Sequence, residues 1–257
     1  MGYEAPLVRR TAAEALGTAA LVAVVVGSGI QATELTRDVG VQLLANSLAT
    51  VLGLGALIVL LCPVSGAHFN PVVTLAAYIT GRRSGDGPTL RDVAAYVPAQ
   101  IAGAIGGAVL TNAMFAQPLV RFSAHDRFAG HLWLAEAVAT AGLVWLIFGM
   151  VRADHTHLAV AVASYIGAAY WFTSSTAFAN PAVTIGRAFT DTFTGIAPAS
   201  VTPFLAAQLA GTVLGLALVA ACFGRPAPAA GDEAVPPHGG QQPAVPAPSA
   251  EESTPAA

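Results

Sequence analysis

Six apolar stretches of about bilayer length dominate the sequence and restrict what the chain can fold into. A helix needs about 20 mostly apolar residues to cross the roughly 30 Å hydrocarbon core of a membrane. Of the 257 residues, 55% are hydrophobic and only 10% are charged, whereas soluble domains carry about a quarter charged residues. We therefore predict an all-α membrane protein whose six transmembrane helices lie at 11–30, 41–62, 92–114, 131–151, 157–174 and 201–223.

Two further apolar segments are too short to cross the membrane, and each begins with Asn-Pro. One starts at Asn70-Pro71, between the second and third spans, and the other at Asn180-Pro181, between the fifth and sixth. Asn caps the first backbone N–H groups of a helix, and Pro at the first helical position loses no donor that the helix needs. We predict two re-entrant half-helices that enter the membrane and stop.

The two halves of the chain repeat each other. AHFNPVVT at 67–74 matches AFANPAVT at 177–184, and AQIAG at 99–103 matches AQLAG at 207–211. Each half contains three crossings, an odd number, so the second half must be inverted relative to the first. Broken helices at matching places of an inverted repeat indicate a solute path between the halves. We predict a channel domain over 1–223, with half-repeats at about 9–114 and 130–223.

The Asn-Pro turns predict a specific chemistry at the middle of the membrane. Two half-helices of opposite orientation would direct their positive N-terminal ends at one point, where the potential repels cations and hydronium. The side-chain amides of Asn70 and Asn180 would offer N–H donors to a passing solute oxygen. A water molecule held there donates outward on both sides, which interrupts a proton-conducting chain.

The arginines predict the orientation, because cytoplasmic loops of membrane proteins carry an excess of positive charge. Seven arginines fall on the side of the two termini and three on the other side, so we predict that both termini lie in the cytoplasm and that the protein lies in the cell membrane. The run 224–257 is rich in Pro and Ala and is predicted to be a disordered cytoplasmic tail. A net charge of −3 gives no reason to expect a nucleic-acid partner. Seven arginines fall on one side, Arg9, Arg10, Arg82, Arg83, Arg91, Arg152 and Arg225, and three on the other, Arg37, Arg121 and Arg127.

The motifs SGAHFNPVVT at 65–74 and FANPAVT at 178–184, together with Glu14, Glu136, Gln100 and Gln208, resemble those of the major intrinsic proteins. This family contains the aquaporins and aquaglyceroporins, and the resemblance covers about 10–223. It implies a homotetramer in membrane lipid, with one pore in each monomer and no cofactor. It also implies that Glu14 and Glu136 accept hydrogen bonds from the loops beneath the half-helices. His68 is either a structural residue or a pore-lining one.

The sequence departs from the family pattern at several pore positions. Val72 stands where the third motif residue is usually Ala, as Ala182 is in the second motif, and would bring two extra methyl groups toward the pore centre. Val183 stands where the family normally has the filter arginine. Arg187, four residues later, is either a displaced filter cation or a residue that snorkels or pairs with Asp191. Counting without gaps from the Asn residues assigns the filter to Thr50, Ala168, Ala177 and Val183, a wide and mostly apolar ring, with a register shift of one residue as the alternative at the first two.

These observations predict a passive channel for water and small uncharged solutes. The wide filter favours glycerol-like polyols or neutral metalloid hydroxides such as arsenite, the latter by resemblance to similar NPAVT-type bacterial members. One alternative is a water-selective aquaporin. The other is an ion-coupled secondary transporter, although the only interior carboxylates are the two symmetric structural candidates.

An enzyme is not indicated, because the sequence has no catalytic constellation, phosphate-binding loop or metal-ligand cluster. Asp154, His155 and His157 lie together in a short loop between the fourth and fifth spans. They are interpreted as a solvated turn, with gating by proton binding as the alternative.

Overall fold

The computed structural model describes residues 5–82, 85, 87–153 and 156–224. Throughout these residues the regular structure is helical, which confirms the predicted all-α class. Arg83, Asp154, His155 and residues 225–257, which include Arg225 and nearly all of the predicted tail, lie outside the described residues. The helices are α1 (Leu7–Leu35), α2 (Val39–Ser65), α3 (Pro71–Gly81), α4 (Leu90–Met114), α5 (Gly130–Arg152), α6 (Leu158–Phe172), α7 (Pro181–Gly186) and α8 (Pro198–Phe223), with a 3-10 turn at Arg187–Phe189.

Five of the six predicted spans form helices that are long and apolar enough to cross a membrane, and α6 is the exception. The five are α1, α2, α4, α5 and α8. The predicted span at 157–174 is realised as a helix of 15 residues, about 22 Å at 1.5 Å per residue. The backbone turns extended at Thr173, with φ −110° and ψ 137°. The helix is shorter than the predicted span because the chain must leave it early to return to the second Asn-Pro turn.

The long helices pack through small residues in two equivalent pairs. α1 lies against α4, and α5 lies against α8. A Cβ atom added to Gly107 of α4 would stand 2.2 Å from the carbonyl oxygen of Ala19, and one added to Gly215 of α8 would stand 2.6 Å from that of Ala141. Only glycine permits such close approach of two helix backbones in a membrane protein.

The bundle has two ends, which we define by the elements found there. At the terminal end, α1 begins beside α4, where Arg10 Nη2 lies 2.8 Å from Asp92 Oδ1. α5 and α8 also end there, where Arg152 Nη1 donates to the Gly224 carbonyl at 2.8 Å. The opposite, loop end contains residues 115–129, which connect the two half-repeats. α3 runs from the middle toward the terminal end, and α7 runs from the middle toward the loop end.

Candidate functional site

Both half-helices begin at the predicted Asn-Pro pairs. The side-chain oxygen of Asn70 accepts from the Val72 amide at 3.1 Å. The oxygen of Asn180 accepts from the amides of Ala182 at 3.0 Å and Val183 at 3.2 Å. Pro71 and Pro181 occupy the first helical positions, where their missing N–H is not needed. Each Asn oxygen is thus used to cap its own half-helix.

The nitrogens of the same amides tie the two half-helices together. Asn70 Nδ2 donates to the carbonyl of Ala179 at 2.8 Å, and Asn180 Nδ2 donates to the carbonyl of Phe69 at 2.8 Å. An Asn side chain has two N–H donors, so each retains a second one. Both side chains line the central cavity, where these remaining donors can meet a solute oxygen.

Two buried carboxylates hold the loops in front of the half-helices. Glu14 accepts from the amides of His68 at 3.0 Å and Phe69 at 2.7 Å. Glu136 accepts from the amides of Phe178 and Ala179, both at 2.8 Å. Both glutamates are 0% exposed. Because a buried carboxylate must be fully hydrogen-bonded, each of these two fixes a loop in one conformation.

A Gln and a Thr complete each carboxylate network. Gln100 Nε2 donates to Glu14 at 2.8 Å and to the hydroxyl of Thr74 at 2.9 Å. Gln208 Nε2 makes the same two bonds, to Glu136 at 2.7 Å and to the hydroxyl of Thr184 at 2.9 Å. Sequence reasoning overlooked the two threonines, although their identical place in the repeated NPVVT and NPAVT motifs was a signal for them.

The loops need this support because their backbone is strained. Residues 67 and 69 in the first loop, and 177 and 179 in the second, have φ between 47° and 50° without being glycine. Left-handed conformations at such residues cost of order 1–3 kcal/mol each and persist only where the surroundings enforce them. The bonds from the loop amides to the carboxylates provide that enforcement.

A cavity of about 750 Å³ passes between the two half-repeats. Near the terminal end it is lined by Cys62 and Arg152, at mid-height by Asn70 and Asn180, and at the loop end by Arg187. Side chains one helical turn apart line it along two helices, as the 3.6-residue period requires. These are Thr50, Leu54, Ile58 and Cys62 of α2 and Leu158, Val162, Ile166 and Tyr170 of α6.

Three of the four predicted filter residues line the loop end of this cavity, namely Thr50, Ala177 and Val183. The assignment of Ala168 is wrong, because Ala168 is exposed and absent from the lining. Tyr170 takes its place, with its hydroxyl 3.2 Å from that of Thr50. Two residues along a helix turn the side chain by about 200°, so a count without gaps selected the outer face of α6.

Arg187 occupies the loop end of the cavity rather than the protein surface. It is 3% exposed and belongs to the lining. Its Nε donates to the carbonyl of Thr194, and its guanidinium carbon lies 3.4 Å from the centroid of the Phe178 ring. Pairing with Asp191 is not observed, because Asp191 instead pairs with Arg121 at 3.2 Å. A charged donor therefore lies beside Val183, where the sequence predicted an apolar wall.

His68 and Val72 differ in their relation to the cavity. His68 lines it, and its Nδ1 lies 3.1 Å from the Thr74 hydroxyl. Val72 is 1% exposed but is not part of the lining, whereas its neighbour Val73 is. The expectation that Val72 brings methyl groups to the pore centre is therefore wrong, because it packs away from the cavity.

The described residues include no group of three or more His, Cys, Asp or Glu side chains placed to hold a metal ion. Of the loop cluster noted in the sequence, only His157 is described, and it precedes α6 at its N-terminal end. The chemistry of the cavity therefore comes from amides, hydroxyls, apolar side chains, the thiol of Cys62, the imidazole of His68 and the guanidinium groups of Arg152 and Arg187.

A helical bundle of membrane-spanning length, with a cavity that passes two opposed half-helices, defines a membrane channel of the inverted-repeat class. A sequence model of the Major intrinsic protein family matches residues 3–172. The chain is 49% identical over 216 residues to "Aquaglyceroporin AqpS" of Rhizobium meliloti (strain 1021), covering 84% of this chain and 91% of that protein. The chain therefore belongs to the major intrinsic protein family.

More distant comparisons agree with this membership. The chain is 32% identical to "Aquaporin A" of Dictyostelium discoideum, covering 67% of this chain and 65% of that protein. The solved structure of the aquaglyceroporin from Plasmodium falciparum superposes with a TM-score of 0.58 at 21% identity, covering 83% of this chain and 94% of that one. At this identity the likeness shows the shared fold alone, which is that of an aquaporin.

Proposed function

We propose that the protein is a passive transmembrane channel for water and small uncharged solutes, with a preference for glycerol-like polyols. The observation that carries this proposal is the cavity that passes both Asn70 and Asn180, whose amides each keep one free N–H donor. Hydroxyl oxygens of water and polyols accept from such donors without a chemical step.

The loop end of the cavity supports the preference for polyols. Ala177 and Val183 provide apolar surface there, while Thr50, Tyr170 and Arg187 provide polar groups. A polyol has hydroxyl groups and a hydrocarbon backbone, so it can meet both kinds of surface at once. We take these five residues as the constriction of the channel. With Tyr170 and Arg187 in place it is more polar than the sequence predicted, and Val183 is smaller than the arginine that the family normally has at its position.

The similarity to a protein named an aquaglyceroporin also supports this choice of solute. The relative from Rhizobium meliloti is named an aquaglyceroporin and is nearly half identical to this chain. Neutral metalloid hydroxides such as arsenite are compact, uncharged and rich in hydroxyl groups. We include them as a second class of solute because the sequence resembles NPAVT-type bacterial members of the family.

An ion-coupled transporter is the weaker proposal, because such a carrier needs a carboxylate that can bind and release its coupling ion. Glu14 and Glu136 are 0% exposed, and both are absent from the cavity lining. Each already accepts backbone and side-chain hydrogen bonds. Members of this family are channels rather than enzymes, and we propose no catalytic activity for this chain.

For the assembly we propose a homotetramer in the cell membrane with both termini in the cytoplasm. The orientation rests on Arg9, Arg10, Arg82, Arg91 and Arg152, which lie at or near the terminal end. The tetramer rests on the family resemblance. Exposed leucines and valines on the outer faces of the helices, among them Leu48, Leu52 and Val213, can face lipid or a neighbouring subunit.

The test is stopped-flow swelling of proteoliposomes with water, glycerol and arsenite. The unaltered protein should conduct water and glycerol faster than protein-free liposomes, and Val183→Arg should lower the ratio of glycerol to water permeability by narrowing the constriction. Val183→Leu is the matched control for size without charge and should lower the ratio less. Absence of flux for every solute would reject the channel, and an unchanged ratio in Val183→Arg would reject Val183 as a filter residue.

A further inference from the structure

Arg127 lies in the loop that connects the two half-repeats, yet it is buried. Sequence reasoning used it only as one charge in the orientation count. The residue is 9% exposed, and its Nε donates to the carbonyl of Gly195 at 3.2 Å. Its Nη1 donates to the carbonyl of Ser175 at 3.4 Å. One guanidinium thus joins the segment before the second Asn-Pro turn to the segment after it.

Arg127 and Arg187 donate to consecutive carbonyls and share the ring of Phe178. Arg187 donates to the carbonyl of Thr194, and Arg127 donates to the next carbonyl along the chain, that of Gly195. Both guanidinium carbons also approach the ring of Phe178, at 3.4 Å for Arg187 and 5.0 Å for Arg127. Stacking of guanidinium on an aromatic face is favourable, most of all where water is excluded. The position of one arginine therefore constrains that of the other.

Within the described residues, neither arginine has a carboxylate within salt-bridge distance. Asp191 pairs with Arg121, and Asp126 accepts from the hydroxyl of Ser200 at 3.0 Å. Two unpaired cations that share a ring repel each other, so each needs a fixed anchor. Arg127 has two carbonyl anchors, whereas Arg187 has one and lines the cavity.

We propose that Arg127 is a positioning residue, which holds the guanidinium of Arg187 at the loop end of the cavity through Phe178 and the consecutive carbonyls of residues 194 and 195. This inference rests on the proposed channel function. It makes the connecting loop part of the constriction, so that the selectivity of the channel depends on a residue that does not itself line the cavity.

The histidine beside Arg127 adds no third charge to this cluster. Partial burial and the nearby charges of Arg127 and Arg187 lower the pKa of His125 below its ordinary value. His125 therefore stays neutral at neutral pH. Arg127 and Arg187 are therefore the cations of this cluster, while Asp126 and Asp191 lie near His125 and the buried carboxylate of Glu136 acts on both arginines.

The experiment is a double-mutant cycle on the full chain in proteoliposomes, with the ratio of glycerol to water permeability as the readout. Arg187→Ala removes the guanidinium from the constriction and should raise the ratio. Arg127→Ala leaves space into which Phe178 and Arg187 relax, so it should raise the ratio as well, by about fivefold, which corresponds to roughly 1 kcal/mol. Adding Arg127→Ala to Arg187→Ala should have no further effect, because Arg127 acts through Arg187.

Arg121→Ala is the matched control. It removes a cation from the same loop and breaks an exposed ion pair with Asp191, so the ratio should stay at the parental value. Arg127→Lys keeps the charge but cannot hold two carbonyls in the planar geometry of a guanidinium. It should therefore raise the ratio of glycerol to water permeability by less than Arg127→Ala does. If Arg127→Ala does not assemble, Arg127→Lys replaces it in the double-mutant cycle.

Three outcomes would overturn the inference. The first is a parental ratio in both Arg127 variants, and the second is a double variant whose change is the product of the two single changes. In either case the unaltered protein still conducts water and glycerol, and the proposed function stands. The third is a parental protein that conducts neither, which rejects the proposed function and the inference together.

Discussion

At the scale of single residues, the two Asn side chains of the Asn-Pro turns use both atoms of the amide group, the oxygen as an acceptor and the nitrogen as a donor. The oxygens cap the half-helices, and the nitrogens of Asn70 and Asn180 bind the carbonyls of Ala179 and Phe69 across the centre. Each side chain therefore stabilises its own half-helix and fixes the opposite loop. A substitution that keeps one end of the amide and removes the other separates these roles.

Asn180→Asp is such a substitution. The carboxylate can still cap α7 and is favoured at a helix N-terminus, so we expect the protein to fold. It cannot donate to the Phe69 carbonyl, and a lost buried hydrogen bond of this kind costs about 1–3 kcal/mol. The new negative charge also cancels the positive potential of the half-helices. Water and glycerol permeability should fall roughly tenfold, and cations should begin to leak, as measured by liposome swelling and by conductance.

Asn112→Asp is the matched control for that change. Asn112 is also a buried amide that donates to carbonyls, those of Leu119 at 3.1 Å and Phe189 at 3.2 Å, but it does not line the cavity. Its replacement should lower thermal stability without cation leakage. Equal leakage in both variants would show that a buried charge anywhere in the bundle is sufficient, and would contradict the role of Asn180.

At the scale of elements, the bundle depends on backbone contact between α1 and α4 and between α5 and α8. Gly103 and Gly107 of α4 each leave room for a carbonyl of α1, and Gly211 and Gly215 of α8 do the same for α5. The half-helices and their carboxylate supports are attached to these four helices. The distance between α1 and α4, and that between α5 and α8, therefore sets the geometry of the Asn-Pro turns.

Neighbouring glycines on α4 allow a direct test of that dependence. A Cβ at Gly107 would lie 2.2 Å from the carbonyl oxygen of Ala19, whereas a Cβ at Gly106 would meet nothing within 4 Å. Gly107→Ala should destabilise the protein by about 1–3 kcal/mol through overpacking. Gly106→Ala should be neutral or slightly stabilising, because Ala favours a helix over Gly. Thermal unfolding in detergent measures both, and equal melting temperatures would contradict the close approach of α1 and α4.

At the scale of the whole molecule, the inverted repeat is closely matched in its centre and unequal at its ends. The Glu, Gln, Thr and Asn bonds recur in both halves, but α3 has 11 residues and α7 has six. His68 lies edge-on to Tyr96 with ring centroids 5.8 Å apart, and Phe178 lies edge-on to Phe204 at 5.3 Å. At these matching places the first half has two polar rings, whereas the second half has two phenylalanines, and the guanidinium groups of Arg127 and Arg187 lie over the ring of Phe178. The side-chain chemistry at the two ends of the cavity therefore differs.

A channel with both interior carboxylates fully engaged should conduct passively. We expect glycerol flux to follow the glycerol gradient alone, with the same rate when a proton or sodium gradient is imposed across the liposome membrane. Radiolabelled glycerol uptake with and without an ionophore measures this. Accumulation above the equilibrium level on imposing a gradient would contradict the channel assignment and favour a coupled transporter.

The sequence by itself determined the helices and the two Asn-Pro turns. Transmembrane helices follow from hydropathy and length, and the turns follow from capping by Asn and the fixed φ of Pro, which are local effects. The repeat also related Glu14 to Glu136 and Gln100 to Gln208, because identical letters recur at similar spacing. These properties belong to short segments and are readable without knowing what packs against them.

Only the tertiary structure decided which side chains meet in the cavity. Ala168 was chosen by counting, but the rotation of α6 depends on what it packs against and places Tyr170 inward. Arg187 could pair with Asp191 by spacing alone, but Arg121 from the connecting loop takes that partner. Arg127 is anchored by the carbonyls of Ser175 and Gly195, about 50 and 70 residues away in sequence. Such contacts depend on helix rotation and loop path, which are set by the packing of the whole bundle rather than by any local pattern.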